Sequence, residues 1–239
     1  VSINLAAWAV GKYNRGAIKM HTLLDLRGSI PTFIHISDGA WHDSNMLDIL
    51  NFEPNAIYTM DKAYVDLASL NAMNSVNAYF VTRARSIMRY RVIENRECWE
   101  SGIISDELVL MTGYKSSRLY PNPLRVVKYY DADSGEYLTF ISNNMDISAL
   151  DVANIYRNRW QIEVFFKWIK QNMTVKHIWG YSENAVRVHL WVAIISYLLM
   201  AKIKATLSTS YSVTEVSCIL GVSVFAKDSI RDLLADNTK

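Results

Sequence analysis

The order in which the apolar runs change period constrains this chain most. Residues 17–26 (AIKMHTLLDL) and 32–37 (TFIHIS) are β-like runs on either side of the turn Arg27-Gly28-Ser29, a hairpin signal. Residues 43–50 read as a short helix, 56–60 as a short apolar strand ending at Asp61, 66–75 as a helix and 78–82 as another strand. The series is β-β-α-β-α-β. Strands that alternate with helices need helices on the faces of a sheet, so the pattern predicts a mixed α/β architecture.

From residue 83 to 143 the character changes. Short β-like runs recur at 89–93, 107–111, 124–130 and 137–142, separated by turns at Thr112-Gly113, Pro121-Asn122-Pro123 and Asp133-Ser134-Gly135. This stretch reads as a β-rich insertion. Helices come next: one over 147–172 with Asp146 or Ser148 as N-cap, a long one over 183–207, and two short ones over 213–220 and 227–235. Ser212 and Glu215 have the spacing of a capping box. The chain has 239 residues, 51% of them hydrophobic, enough to bury a sizeable core. The expected organisation is a core of 1–82 and 144–210, an insertion of 83–143 and a helical C-terminal tail of 211–239.

Net charge is only +2, which does not announce a nucleic-acid partner, but local charge does more. Residues 151–191 hold six Lys/Arg against three acids, a net of 6 − 3 = +3. Tyr156, Arg159, Glu163 and Lys170 lie at offsets of 0, 3, 7 and 14. On one continuous helix at about 100° per residue they would share roughly one quadrant. Asp61 closes a buried-looking strand, where a carboxylate can hold a cation at the open edge of a sheet. Taken alone, Asp61 reads more readily as a cap, and Glu163 as a surface acid paired with Lys167. Together with the cations they describe a Mg²⁺-dependent phosphoryl-transfer site.

These residues carry a resemblance. Tyr156-(2)-Arg159-(3)-Glu163-(6)-Lys170 resembles the signature of bacterial insertion-sequence transposases of the DDE class. Gly16–His21, Asp38-Gly39, His42-Asp43-Ser44 and Met60–Tyr64 are similar to the same family. The resemblance implies a ribonuclease H-like fold with a β-insertion and Mg²⁺ (with Mn²⁺ as a substitute) as cofactor. It implies cleavage and strand transfer at transposon ends, double-stranded DNA as partner and a homodimer on that DNA. It makes Asp61 and Glu163 catalytic, metal-holding carboxylates. Tyr156, Arg159 and Lys170 become residues that hold transposon-end phosphates. The family's first catalytic Asp lies in an Asp-Ser-Thr-like stretch that does not occur here. Val1–Ala6 resembles the segment just C-terminal to that stretch in the family. The expectation is therefore a trimmed chain, inactive as it stands, with that Asp before Val1.

Further residues bear on DNA. Arg83, Arg85, Arg89 and Arg91 would share one face of an extended segment and form a basic stripe. Tyr137 could stack on a flipped base, with cross-strand packing the more ordinary reading. Phe165 and Ile169 are expected in the core, with Trp160 and Trp168 beside the charged face. His42 and Asp43 read as capping or hydrogen-bonding residues before active-site ones; His177 and His189 show no ligand spacing. Two distant cysteines, Cys98 and Cys218, form no disulfide framework and suit a reducing cytosol; the resemblance implies a bacterial cytoplasm, at the nucleoid. The apolar run 189–201 is short for a bilayer, so no membrane role is expected. Two alternatives are a non-catalytic DNA-binding remnant and another ribonuclease H-like nuclease.

Overall fold

The computed structural model describes residues 2–3, 16–172, 180, 182–223, 225 and 227–234. Of the sequence readings, those on Val1, residues 4–15, His177 and residue 235 lie outside the described residues. In chain order the elements begin with strands β1 (Ser2–Ile3), β2 (Gly16–Asp25) and β3 (Ile30–Asp38), then helix α1 (Met46–Ile49), β4 (Ile57–Met60), α2 (Leu67–Ser75) and β5 (Tyr79–Arg83). They continue with β6 (Tyr90–Arg96), β7 (Ile103–Met111), α3 (Tyr114–Leu119), β8 (Leu124–Asp131) and β9 (Glu136–Ser142). The last are α4 (Ala149–Arg157), α5 (Trp160–Asn172), α6 (Glu183–Leu207), α7 (Val213–Ser223) and α8 (Ile230–Leu233). Every strand expected between residues 17 and 142 is present, while α3 was not foreseen. The chain divides into two compact units, residues 42–160 and residues 1–41 with 161–239.

The unit of residues 42–160 is built on a six-stranded mixed sheet of order β4-β5-β9-β8-β7-β6. β4 and β5 are parallel and the other pairs antiparallel. Neighbouring residues point to opposite faces, as a pleated strand requires. Phe80, Val126 and Ile141 therefore meet Leu70 and Met73 of α2 in one core. Val81, Val127 and Phe140 meet Ala149, Val152, Ala153 and Tyr156 of α4 in another. Each large apolar side chain so buried contributes about 1.5–3 kcal/mol. The architecture is α/β, a mixed sheet flanked by helices, consistent with the expected ribonuclease H-like fold.

Two polar devices lock this sheet. At the end of β9, the Ser142 hydroxyl donates to Phe80 O (2.7 Å), the Asn143 Oδ1 accepts from Phe80 N (2.8 Å), and Asn143 Nδ2 donates to Ala78 O (2.9 Å). Side chains thus continue the β5 ladder where the backbone of β9 leaves it. The second device is Arg125 on β8, 1% exposed. Its Nε and Nη2 donate to both carboxylate oxygens of Asp106 (2.8 and 2.7 Å), and its Nη1 donates to Asn144 O (3.1 Å) and Ile147 O (2.7 Å). The loop into α4 is thereby fixed to the sheet. Ser148 then caps α4 in a capping box with Asp151.

In the other unit, β1, β2 and β3 form an antiparallel sheet. Ile18 and Ile36 pack with Phe165, Trp168 and Ile169 of α5 and with Val186, Leu190, Ala193, Tyr197 and Ala201 of α6. The Tyr197 ring meets Phe165 and Trp168 edge-on at 4.8 and 5.1 Å, and its hydroxyl donates to Ser29 O (2.8 Å) at the tip of the β2–β3 hairpin. α6 is the long helix expected over 183–207. By length and composition its 25 residues could cross a membrane, although one face of it is buried in this protein core. The Ser212–Glu215 capping box of α7 is present.

The single helix expected over 147–172 is instead two, and this corrects the shared-face argument. Asn158 ends α4, and Arg159 N donates to Tyr156 O (3.0 Å), a three-residue closure that tightens the last turn. The cause is a phase slip in the apolar pattern. Buried positions 149, 152, 153 and 156 would continue at 160 and 163, but Trp160 and Glu163 are exposed and burial resumes at 165, 168 and 169.

Arg125→Ala leaves the Asp106 carboxylate buried without its partner and frees the loop before α4. It should cost about 3–5 kcal/mol of stability in denaturant unfolding. Arg125→Met combined with Asp106→Leu should recover much of the loss, and a single change costing under about 1 kcal/mol would contradict the role assigned to the pair.

Candidate functional site

The parallel pairing of β4 with β5 builds the site in the unit of residues 42–160. Met60 is registered opposite Thr82, so the next residues, Asp61 and Arg83, leave the C-terminal ends of adjacent strands together. Asp61 caps the 3-10 turn Lys62–Tyr64, its Oδ1 accepting from Ala63 N (3.0 Å). The capping role is real, and it occupies one carboxylate oxygen. Arg85 holds the far side of this turn, with Nε and Nη2 donating to Lys62 O (3.2 Å) and Ala63 O (3.4 Å).

Arg83 is registered opposite Phe140, and the Phe140 ring packs on Tyr156 at 5.0 Å. The Arg159 guanidinium lies 5.6 Å from the centre of the Tyr156 ring and hydrogen-bonds its phenol. Burial raises the Tyr156 phenol above its ordinary range; Arg159 opposes the rise, Asp61 adds to it and Arg83 opposes it. Asp61, Arg83, Tyr156 and Arg159 are therefore in one electrostatic neighbourhood. Tyr64, which the sequence marks only as the end of the Met60–Tyr64 stretch, joins this neighbourhood. Burial, then the carboxylates of Asp43 and Asp61, push its phenol up to about 12. His42 is exposed and makes no side-chain cap bond.

Glu163 and Lys170 belong to the other unit, on α5. Both are exposed, opposite the buried Phe165, Trp168 and Ile169. Seven residues of helix return to within about 20° of the same azimuth, so the two share a face. Glu163 in the first turn and Lys170 in the last also suit the helix dipole.

The basic stripe is corrected. Ser86-Ile87 form a turn, with Met88 N donating to Arg85 O (3.1 Å), so residues 83–91 are not one extended strand. The charge of Arg83 acts on Tyr156, Arg85 bonds the Asp61 turn, and Arg89 and Arg91 lie beyond the bend. Tyr137 is registered with Tyr130, ring centres 5.0 Å apart, yet remains 76% exposed. It packs across strands and still offers a ring face. Cys98 and Cys218 are free thiols.

Residues 6–199 match the family model described as the transposase DDE domain. The chain belongs to the DDE transposase family. It is 32% identical over 201 residues to a protein of Sinorhizobium fredii named as the transposase y4zB, covering 82% of this chain and 56% of that one. A Geobacillus stearothermophilus protein named as a transposase for insertion sequence element IS5377 is 28% identical over 202 residues, covering 84% and 53%. A Synechocystis protein named as a transposase for insertion sequence element IS4SA is 25% identical over 202 residues, covering 81% and 54%. This DDE transposase chain spans about half the length of the curated relatives it matches.

The donor set of the DDE chain suits a hard cation. Mg²⁺ takes oxygen ligands, and Asp61 and Glu163 are carboxylates, one part-exposed and one exposed. Among the described residues no three His, Cys, Asp or Glu side chains are grouped to hold a metal.

The Tyr64 phenol gives a pH signature with a definite sign. Below about pH 10 it is neutral in both states; between about 10 and about 12 the unfolded chain loses the proton that the folded chain keeps. Stability should therefore fall as pH rises through that window. Tyr64→Phe should flatten part of the fall in urea unfolding, the other buried tyrosines keeping theirs; an unchanged slope would refute the assignment.

Proposed function

We propose that this chain is the catalytic domain of an insertion-sequence transposase that cuts and joins DNA at transposon ends in a Mg²⁺-dependent reaction. The convergence of Asp61, Arg83, Tyr156 and Arg159 at the open ends of two parallel strands supports the reading most. Asp61 and Glu163 would hold the metal, Mn²⁺ serving in place of Mg²⁺. The bound metal supplies positive charge against the oxygens of the phosphate being transferred. Arg159 and Lys170 hold neighbouring phosphates, and Tyr156, whose phenol burial pushes above its ordinary range, positions Arg159 by stacking and hydrogen bonding. Arg83 adds charge beside Tyr156, Arg85 holds the Asp61 turn while facing DNA, and the exposed Tyr137 ring stacks on an unpaired base.

We assign residues 1–82 and 144–210 to the catalytic core, 83–143 to an insertion and 211–239 to a helical tail. The partner is double-stranded DNA, bound by a homodimer in the bacterial cytoplasm at the nucleoid. We further propose that these 239 residues, in which Asp61 and Glu163 are the carboxylates assigned to catalysis, do not cut by themselves.

Supercoiled-plasmid nicking tests both parts. In a full-length transposase carrying this domain, Asp61→Asn and Glu163→Gln should each lower Mg²⁺-dependent cleavage by at least roughly 100-fold while DNA binding persists. The 239-residue chain should nick nothing above background. Cleavage that survives both substitutions sinks the carboxylate assignment. If the full-length protein binds DNA yet never cuts, the non-catalytic reading takes its place.

A further inference from the structure

Beyond the Asp61 neighbourhood, the turn after β5 and the start of α3 form a second basic surface. Residues 83–93 contain four arginines and 111–123 contain Lys115 and Arg118, and neither stretch contains an acid. The fold brings the two together. Thr112 N donates to Arg89 O (3.1 Å), so the chain entering α3 runs beside Arg89.

Two sets of cations in this unit differ in their partners. On β8 and α4 they are matched to carboxylates: Arg125 to Asp106 (2.7 Å), Lys128 to Glu107 (2.8 Å) and Arg157 to Asp131 (3.6 Å). Arg89, Arg91, Lys115 and Arg118 are all exposed, and among the described residues none of them makes an ion pair. Arg118 is instead stacked on the Tyr114 ring, 4.3 Å from its centre, and Tyr114 is 77% exposed. An exposed aromatic holding a guanidinium outward, among unpaired cations, is chemistry that suits a phosphate backbone.

Resting on the DNA-processing reading under Proposed function, we propose that Arg89, Lys115 and Arg118, with Arg91 at their margin, form a second contact surface for duplex DNA, separate from the residues that handle the scissile phosphate. The charge of Arg83 is felt at Tyr156 and Arg85 bonds the Asp61 turn, and the chain reaches Arg89 four residues further on. Its contacts are to phosphates and carry no sequence information. It holds duplex DNA lying beyond the cut, whatever its sequence.

Binding of a fluorescent duplex of arbitrary sequence to the 239-residue chain, across a salt series, tests this. The triple variant Arg89→Ala/Lys115→Ala/Arg118→Ala should bind at least about tenfold more weakly near 0.1 M salt, and its plot of log affinity against log salt should be shallower by roughly 2 to 3. A control of equal charge change, Lys202→Ala/Lys227→Ala/Arg231→Ala, should leave the slope nearly intact. All six side chains are exposed, so unfolding does not confuse the result. No duplex binding by the unaltered chain, an unchanged slope in the first triple, or equal losses in both triples would each overturn the proposal. Failure of cleavage in the full-length protein would not, because this readout involves no metal and no cut.

Discussion

A guanidinium almost sealed from solvent sits between β7, β8 and the loop into α4. Four hydrogen bonds from Arg125 join Asp106, Asn144 and Ile147, three points far from it in sequence. A buried charge is costly unless paired and hydrogen-bonded, so the interaction admits little adjustment. The rest of the loop conforms to it: Asn144 Oδ1 accepts from Asp146 N (2.9 Å) and Ile147 N (3.3 Å), and Arg96 donates to Met145 O (2.9 Å). Where α4 starts decides where it ends. Tyr156 lies two turns on from Ser148, and its packing on Phe140 derives from that origin.

The second constraint is the single parallel pair in a sheet that is otherwise antiparallel. Antiparallel neighbours would have put the ends of β4 and β5 at opposite edges. Parallel pairing, with α2 as the crossover, delivers Asp61 and Arg83 to the same edge. The antiparallel register of β5 with β9 then sets Phe140 beside Arg83 and hence beneath Tyr156. Strand direction and register bring the carboxylate of Asp61 and the guanidinium of Arg83 together, and the packing of α4 on Phe140 adds the Tyr156 phenol and the Arg159 guanidinium.

Much of this was legible in the sequence because it depends on short-range pattern. The strands from residue 17 to 142, the long helix, the Ser212 cap and the buried Phe165 and Ile169 all derive from period and capping chemistry. The ordered Tyr156, Arg159, Glu163 and Lys170, which resemble the family's signature, were equally plain. What escaped was set by tertiary partners. Arg125 and Asp106 look like ordinary polar residues of alternating strands until β7 and β8 are paired. α3 has no apolar period, and Tyr64 looks like any tyrosine after a turn. Reading Arg83, Arg85, Arg89 and Arg91 as one stripe assumed an extended chain, which the turn at Ser86-Ile87 prevents. The break at Asn158 was readable, since Trp160, Glu163 and Lys167 fall where a continuous helix would need apolar residues.

That break changes what the signature means physically. In sequence Tyr156, Arg159, Glu163 and Lys170 form one motif, and one helix would have fixed their spacing rigidly. In the structure, Tyr156 owes its position to Phe140 and the core under α4, whereas the orientation of Glu163 and Lys170 comes from Phe165, Trp168 and Ile169 packed around Tyr197. The two halves of the motif are therefore supported by different apolar cores, so a cavity in either core displaces one half without directly touching the other. Contiguity in the sequence does not imply a common mechanical support, and the short turn at Asn158–Arg159 is where the chain passes from one support to the other.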